Sequence, residues 1–183
     1  QNGFVVIPDA MKQFFEVYER NRYNALDQYI TVDSVYFLFH LFYDFTLKQI
    51  ERGTFMNRVA AISKVMAQEA EQACKKASNP KAKDAFKTLW AMFTLAQRLE
   101  ETAKTADLPT DIRKQVEEDR KLIFEASQAA PSAIFARQID FSQFKVRGHY
   151  EEDPRLANYF RVMMLFSQLP LLVFDEQKNP SPD

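Results

Sequence analysis

His40 and His149 are the only histidines in the chain, and each stands among groups that could share its proton. His40 lies in TVDSVYFLFHLFYDF, residues 31–45, where Asp33, His40 and Asp44 interrupt a run of aliphatic and aromatic side chains. On a helix, positions 33, 37, 40 and 44 fall on one face, so Asp33, Phe37, His40 and Asp44 align. Asp44, one turn beyond His40, could hydrogen-bond the ring, which favours imidazolium or fixes the tautomer of the neutral form. One His and two carboxylates make a partial ligand set, and His149 is the natural further member. A metal or acid–base reading therefore draws on His40, Asp44 and His149. The competing reading is a buried polar network, with Arg147 or Arg161 as partner to the acids, because an isolated buried charge is strongly unfavourable.

The second histidine belongs to KVRGHY, in which Arg147, His149 and Tyr150 surround Gly148. Arg and His beside a flexible Gly could hold an anionic group. Alternatively, Arg147 pairs with Asp33 or Asp44 and Gly148 takes a positive-φ turn. Both readings fold this loop back over the helix that carries His40. The candidate polar cluster is thus Asp33, His40, Asp44, Arg147, His149, Tyr150 and Arg161.

Other chemistry is missing from the sequence. There is no H-E-x-x-H, Gly-rich phosphate loop, G-x-S-x-G elbow or Cys–His pair. The single cysteine, Cys74, excludes an internal disulfide and a thiol-rich metal site. The methionines of YFRVMMLF read as core filler, and no cofactor is expected.

These groups need elements to hold them. The 183 residues include 17 Phe and only 3 Gly, and 46% are hydrophobic, which excludes disorder and favours helices. Residues 10–26 fit a helix with Asp9 as N-cap. The segment from about Ser34 to Arg52 is apolar on all sides, which predicts a buried central helix capped by Thr31 or Asp33 and stopped at Gly53. Phe55, Val59, Ile62, Met66, Ala70 and Ala73 mark an amphipathic helix to about Ala77. Asn79 and Pro80 open another, through Phe86, Trp90, Phe93 and Leu99. Thr110 or Asp111 caps a charged helix that Pro131 interrupts. SAIFARQI reads as a short helical piece, residues 140–154 as an ordered loop anchored by Phe141 and Phe144, and residues 154–169 as a last helix.

The expected architecture is all-α: an irregular bundle of six or seven helices around a buried central helix, with a short extended N-terminal segment at GFVVIP and an extended LLVF near the end. A single helical domain spans 1–175, and 176–183 is a flexible tail or linker. With 24 basic and 25 acidic residues the formal net charge is −1, and the basic stripe that nucleic acid would require is missing. No apolar run approaches the roughly 18–20 residues of a transmembrane span.

GFVVIP, QFFEVYERNRYNALDQYITVDSVYFLFHLFYDFTLKQIE, DFSQFKVRGHY and NYFRVMMLFSQLP together resemble an uncharacterised bacterial and archaeal family catalogued as domain of unknown function 3160. SQFKVRGHY and YFRVMM are the most distinctive blocks. The resemblance implies the N-terminal part of a longer, exported protein, often a lipoprotein, with an extracytoplasmic location. The family pattern has a second His at the position of Phe37, giving His-x-x-His. This chain keeps only His40, which weakens any activity built on paired imidazoles. Two readings follow. One is a helical binding or assembly domain of a cell-envelope protein, with an unidentified protein or envelope ligand as partner and contact with a C-terminal portion. The alternative is a hydrolase-type domain that uses His40, Asp44 and His149, with or without a metal.

Overall fold

The computed structural model describes residues 8, 10–101 and 108–168. The extended segment expected at residues 3–7, the Asp9 cap, the extended LLVF and the tail 176–183 lie outside the described residues. The described residues are 74% helical, with one two-stranded sheet. In chain order it contains α1 (Phe15–Tyr23), α2 (Val32–Ile50), a π-helical turn (Glu51–Phe55), α3 (Met56–Lys76), α4 (Pro80–Leu99), α5 (Thr110–Glu125), β1 (Ala129–Pro131), β2 (Gln138–Asp140) and α6 (Pro154–Gln168). Because α2, the π turn and α3 are consecutive, the described residues hold five helical runs in place of the expected six or seven. Two compact units divide the chain, residues 1–47 and 48–183.

In the first unit, Thr31 caps α2. Its Oγ1 accepts from the Ser34 N–H at 3.2 Å, and Ser34 Oγ accepts from the Thr31 N–H at 3.0 Å. This reciprocal exchange satisfies donors that a helix start leaves orphaned. Phe14 packs on Phe37 and on Tyr18, with centroids 5.8 Å apart in each pair. The expectation of a buried central helix fails here. Ser34 is the only buried residue of α2, and Tyr36, Leu38, Phe39, Phe42 and Phe45 are each at least 60% exposed. Among the described residues of the unit, a nine-residue α1 and its flanking loops are too little chain to cover large side chains on every face of a 19-residue helix.

The second unit contains the true central helix, which is α4. From Trp90 to Ala96 every residue is buried, and Leu95, Ala96 and Leu99 have no exposed surface. Helix α3 packs along α4, and α5 and α6 pack on its other sides. The interior closes with Ile112, Val116 and Ile123 from α5 and Val162 and Leu165 from α6. Asn79 caps α4 by accepting the Lys81 N–H at 2.9 Å, and Pro80 occupies the first turn, as the sequence predicts.

Two local expectations are corrected. Gly53 does not stop a helix but sits inside the π turn, where an added Cβ would meet open space. SAIFARQI is not helical. Residues 132–137 form the turn between β1 and β2, and Gln138 and Ile139 open β2, which pairs antiparallel with β1 so that Ala130 lies opposite Ile139. Asp119 on α5 dictates this turn. Its carboxylate accepts from Ser132 Oγ at 2.5 Å, the Ala133 N–H at 2.7 Å and the Ile134 N–H at 3.3 Å. Those amides are therefore withdrawn from any helical ladder. Burial pushes the Asp119 carboxyl above its usual range, although the three donors oppose that shift. Asp119→Ala strands these donors, and the expected loss of stability is about 2–4 kcal/mol. Urea unfolding followed by circular dichroism measures it.

Candidate functional site

The most organised polar site lies at the start of the second unit, where the π turn meets the loop after β2. Phe141 and Phe144 anchor that loop in the core, at 2% and 1% exposure. Gly148 then adopts φ +62°, the left-handed turn expected of it, and opens a 3-10 helix over Gly148–Glu152. This short helix aims two consecutive side chains at one carboxylate. Glu51 accepts from Tyr150 Oη at 2.7 Å on Oε1, and His149 Nε2 lies 3.0 Å from Oε2. Glu51 is 6% exposed, so its charge depends on these partners rather than on water.

The surroundings continue the pattern. The His149 and Tyr150 rings lie 4.1 Å apart, and Tyr150 packs on Phe160 of α6 at 5.0 Å. Lys48 bonds Glu152 at 2.7 Å, and Arg52 pairs with Asp153 at 3.4 Å. Positions 48, 51 and 52 share a helical face, so three ionic contacts join one stripe of helix to one stretch of loop. Burial raises the Tyr159 phenol above its ordinary pKa, and the Glu51 charge adds to the shift. With Glu51 ionised, the proton on Nε2 is the one donated to the carboxylate. The arrangement can fix a tautomer and clamp a loop.

Within the second unit, the candidate cluster is brought together in part. His149 and Tyr150 come together, on Glu51. Arg147 lies over the Phe160 ring at 5.9 Å. Arg161 stacks on Phe124 at 4.5 Å and donates to Asn158 Oδ1 at 3.1 Å, so its neighbours here are a ring and an amide. Asp33, His40 and Asp44 belong to the first unit, where Asp33 and His40 are exposed and Asp44 is half-buried. Asp33 and His40 are not buried, because α2 leaves most of its side chains exposed. Among the described residues, no group of three or more His, Cys, Asp or Glu is placed to hold a metal ion.

Sequence reasoning missed Glu51. The available signal was charge order: Lys48, Glu51 and Arg52 face a complementary His149, Tyr150, Glu152 and Asp153. Glu100, just past the end of α4, was also missed. It borders a pocket of about 260 Å³ with Asn57, Arg155, Asn158 and Tyr159. Its Oε2 is buried and has no hydrogen-bond partner among the described residues. Burial alone pushes its carboxyl up to about 7.

A raised folded-state pKa means that folded Glu100 binds its proton more readily than unfolded Glu100. The associated stability is full below the ordinary value of 4.5 and is lost as pH rises through about 7. After discounting for partial exposure, the protein is expected to be about 1–2 kcal/mol more stable at pH 5 than at pH 8 on account of this group. Glu100→Gln removes that difference, and chemical denaturation of both proteins at the two pH values checks it.

No helix of the described residues is long and apolar enough to cross a membrane. No curated protein and no solved structure matches the chain. The family model described as Protein of unknown function (DUF3160) matches residues 1–183, and the chain belongs to that family.

Proposed function

We propose that this chain is a helical binding or assembly domain of an exported cell-envelope protein, and that its first unit carries the docking surface. One observation carries the reading: α2 leaves most of its aliphatic and aromatic side chains in water. Beside them, Phe14, Phe15, Tyr18, Phe37, Leu38 and Leu41 line an apolar groove of about 610 Å³. Covering each exposed Phe or Leu is worth about 1.5–3 kcal/mol, so such a surface favours a partner.

The partner is further polypeptide of the same exported protein. Family resemblance to longer extracytoplasmic proteins, often lipoproteins, supports this choice. Composition supports it as well. Helices that lie on membranes carry Lys and Arg along their polar face, whereas Lys48 is the only such residue in Val32–Ile50. No observation favours the hydrolase alternative built on His40, Asp44 and His149.

A photo-crosslinking residue at Phe42 tests the proposal in the intact protein, expressed in its native host from the complete reading frame. The expected product is an internal crosslink to a segment beyond this chain, in molecules recovered from outside the cytoplasm. Crosslinks to lipid alone, or a Phe42 site that stays labelled by water-soluble reagents, would overturn the docking surface. Retention in the cytoplasm would overturn the location.

A further inference from the structure

Helix α3 keeps small side chains inside and turns large apolar ones outward. Its buried residues are Ser63, Ala67, Ala70 and Cys74, on the side packed along α4. Ile62, Val65 and Met66, and Phe55 at the end of the π turn, are instead 40–56% exposed. Phe55, Arg58, Ile62, Val65, Glu69 and Gln72 follow one another at alternating intervals of three and four, along a stripe opposite the buried face. All six are exposed. This spacing is that of a two-stranded coiled-coil seam, with apolar positions at its middle, a cation on the N-terminal side and an anion on the C-terminal side. Neither Arg58 nor Glu69 forms an ion pair among the described residues. About 16 Å of helix separates them, so they do not reach each other within one chain.

We infer that the chain pairs with a second copy of itself through this face of α3, with the two helices antiparallel. The charge order selects that occupant. Arg58 and Glu69 stand equally far from the midpoint of Ile62 and Val65, which an unrelated partner would not require. A two-fold axis at that midpoint sets Ile62 of each copy against Val65 of the other, and Arg58 against Glu69 twice over. A parallel pair would set Arg58 on Arg58 and Glu69 on Glu69. The contact belongs to the second unit and is independent of the docking surface on α2. A stripe about 26 Å long lies at or below the small end of stable interfaces, so the dissociation constant is expected at about 10–100 µM.

Sedimentation equilibrium of the whole 183-residue chain at about 50 mM salt, where surface charges are lightly screened, tests the proposal. Arg58→Glu and Glu69→Arg, each alone, are expected to weaken self-association by about tenfold or more, because each sets like charges across the seam twice. Mixed in equal amounts, the two variants are expected to form a heterodimer within about threefold of the original affinity, since both contacts are again opposite in sign. Both substitutions lie on exposed positions, and unfolding curves confirm that each variant is folded. A chain that stays monomeric up to about 0.5 mM, a dimer that neither reversal weakens, or a mixture no tighter than its components would each overturn the proposal. Dimers formed through α2 would give the second of these results.

Discussion

A buried carboxylate must be met by donors, and in this protein Glu51 is met by two side chains almost a hundred residues away in sequence. That requirement organises the second unit. The carboxylate sits at the first residue of a π turn, where the helix winds more loosely than its α-helical flanks and the faces before and after it are offset. The 3-10 segment starting at Gly148 supplies His149 and Tyr150 from adjacent positions. Lys48 and Arg52 extend the contact with peripheral ion pairs, which are worth little singly. The central bonds are different in kind, because Glu51 and His149 are both nearly inaccessible and an unmet partner could not turn to water. Phe160 then carries the contact into α6 through Tyr150.

The same logic explains where the core lies. The most apolar helix of the sequence, α2, is largely exposed, while α4, with its mixture of Ala, Thr, Met and Leu, is enclosed on every side from Trp90 to Ala96. Burial follows how many neighbouring elements a helix has, and hydropathy alone does not report that number. Three long helices surround α4 within its unit, because a hairpin-like succession of α3, α4 and α5 brings amphipathic faces together at short range. Among the described residues, the first unit offers α2 no such company. Its unpaired apolar surface is therefore the part of the molecule for which a partner would change most.

Much of the local structure was legible in the sequence. The stripe from Phe55 to Ala73 marks α3, and the Asn79–Pro80 start of α4 follows from capping chemistry that acts within a few residues. Gly148 at positive φ and the anchoring roles of Phe141 and Phe144 were also readable. What was hidden depends on contacts distant in sequence. SAIFARQI has an acceptable helical pattern, but Asp119 on another element takes the donors that a helix would need. Gly53 looks like a stop, yet the helical backbone passes through it as a π turn. Of the candidate polar residues, His149 and Tyr150 were found because an imidazole and a phenol beside a Gly are conspicuous. Glu51 was overlooked because a Glu in a charged helix segment ordinarily faces water. Glu100 escaped for the same reason.

The account rests on Glu51 acting as a shared acceptor whose bonds are formed out of water. A double-mutant cycle between Glu51→Gln and Tyr150→Phe, read by urea unfolding, isolates that interaction from the effects of each substitution alone. The account predicts a coupling energy of about 1–3 kcal/mol, because the Tyr150 hydroxyl and the Glu51 charge each lose value without the other. A coupling energy near zero, with the two single losses simply adding, would contradict it.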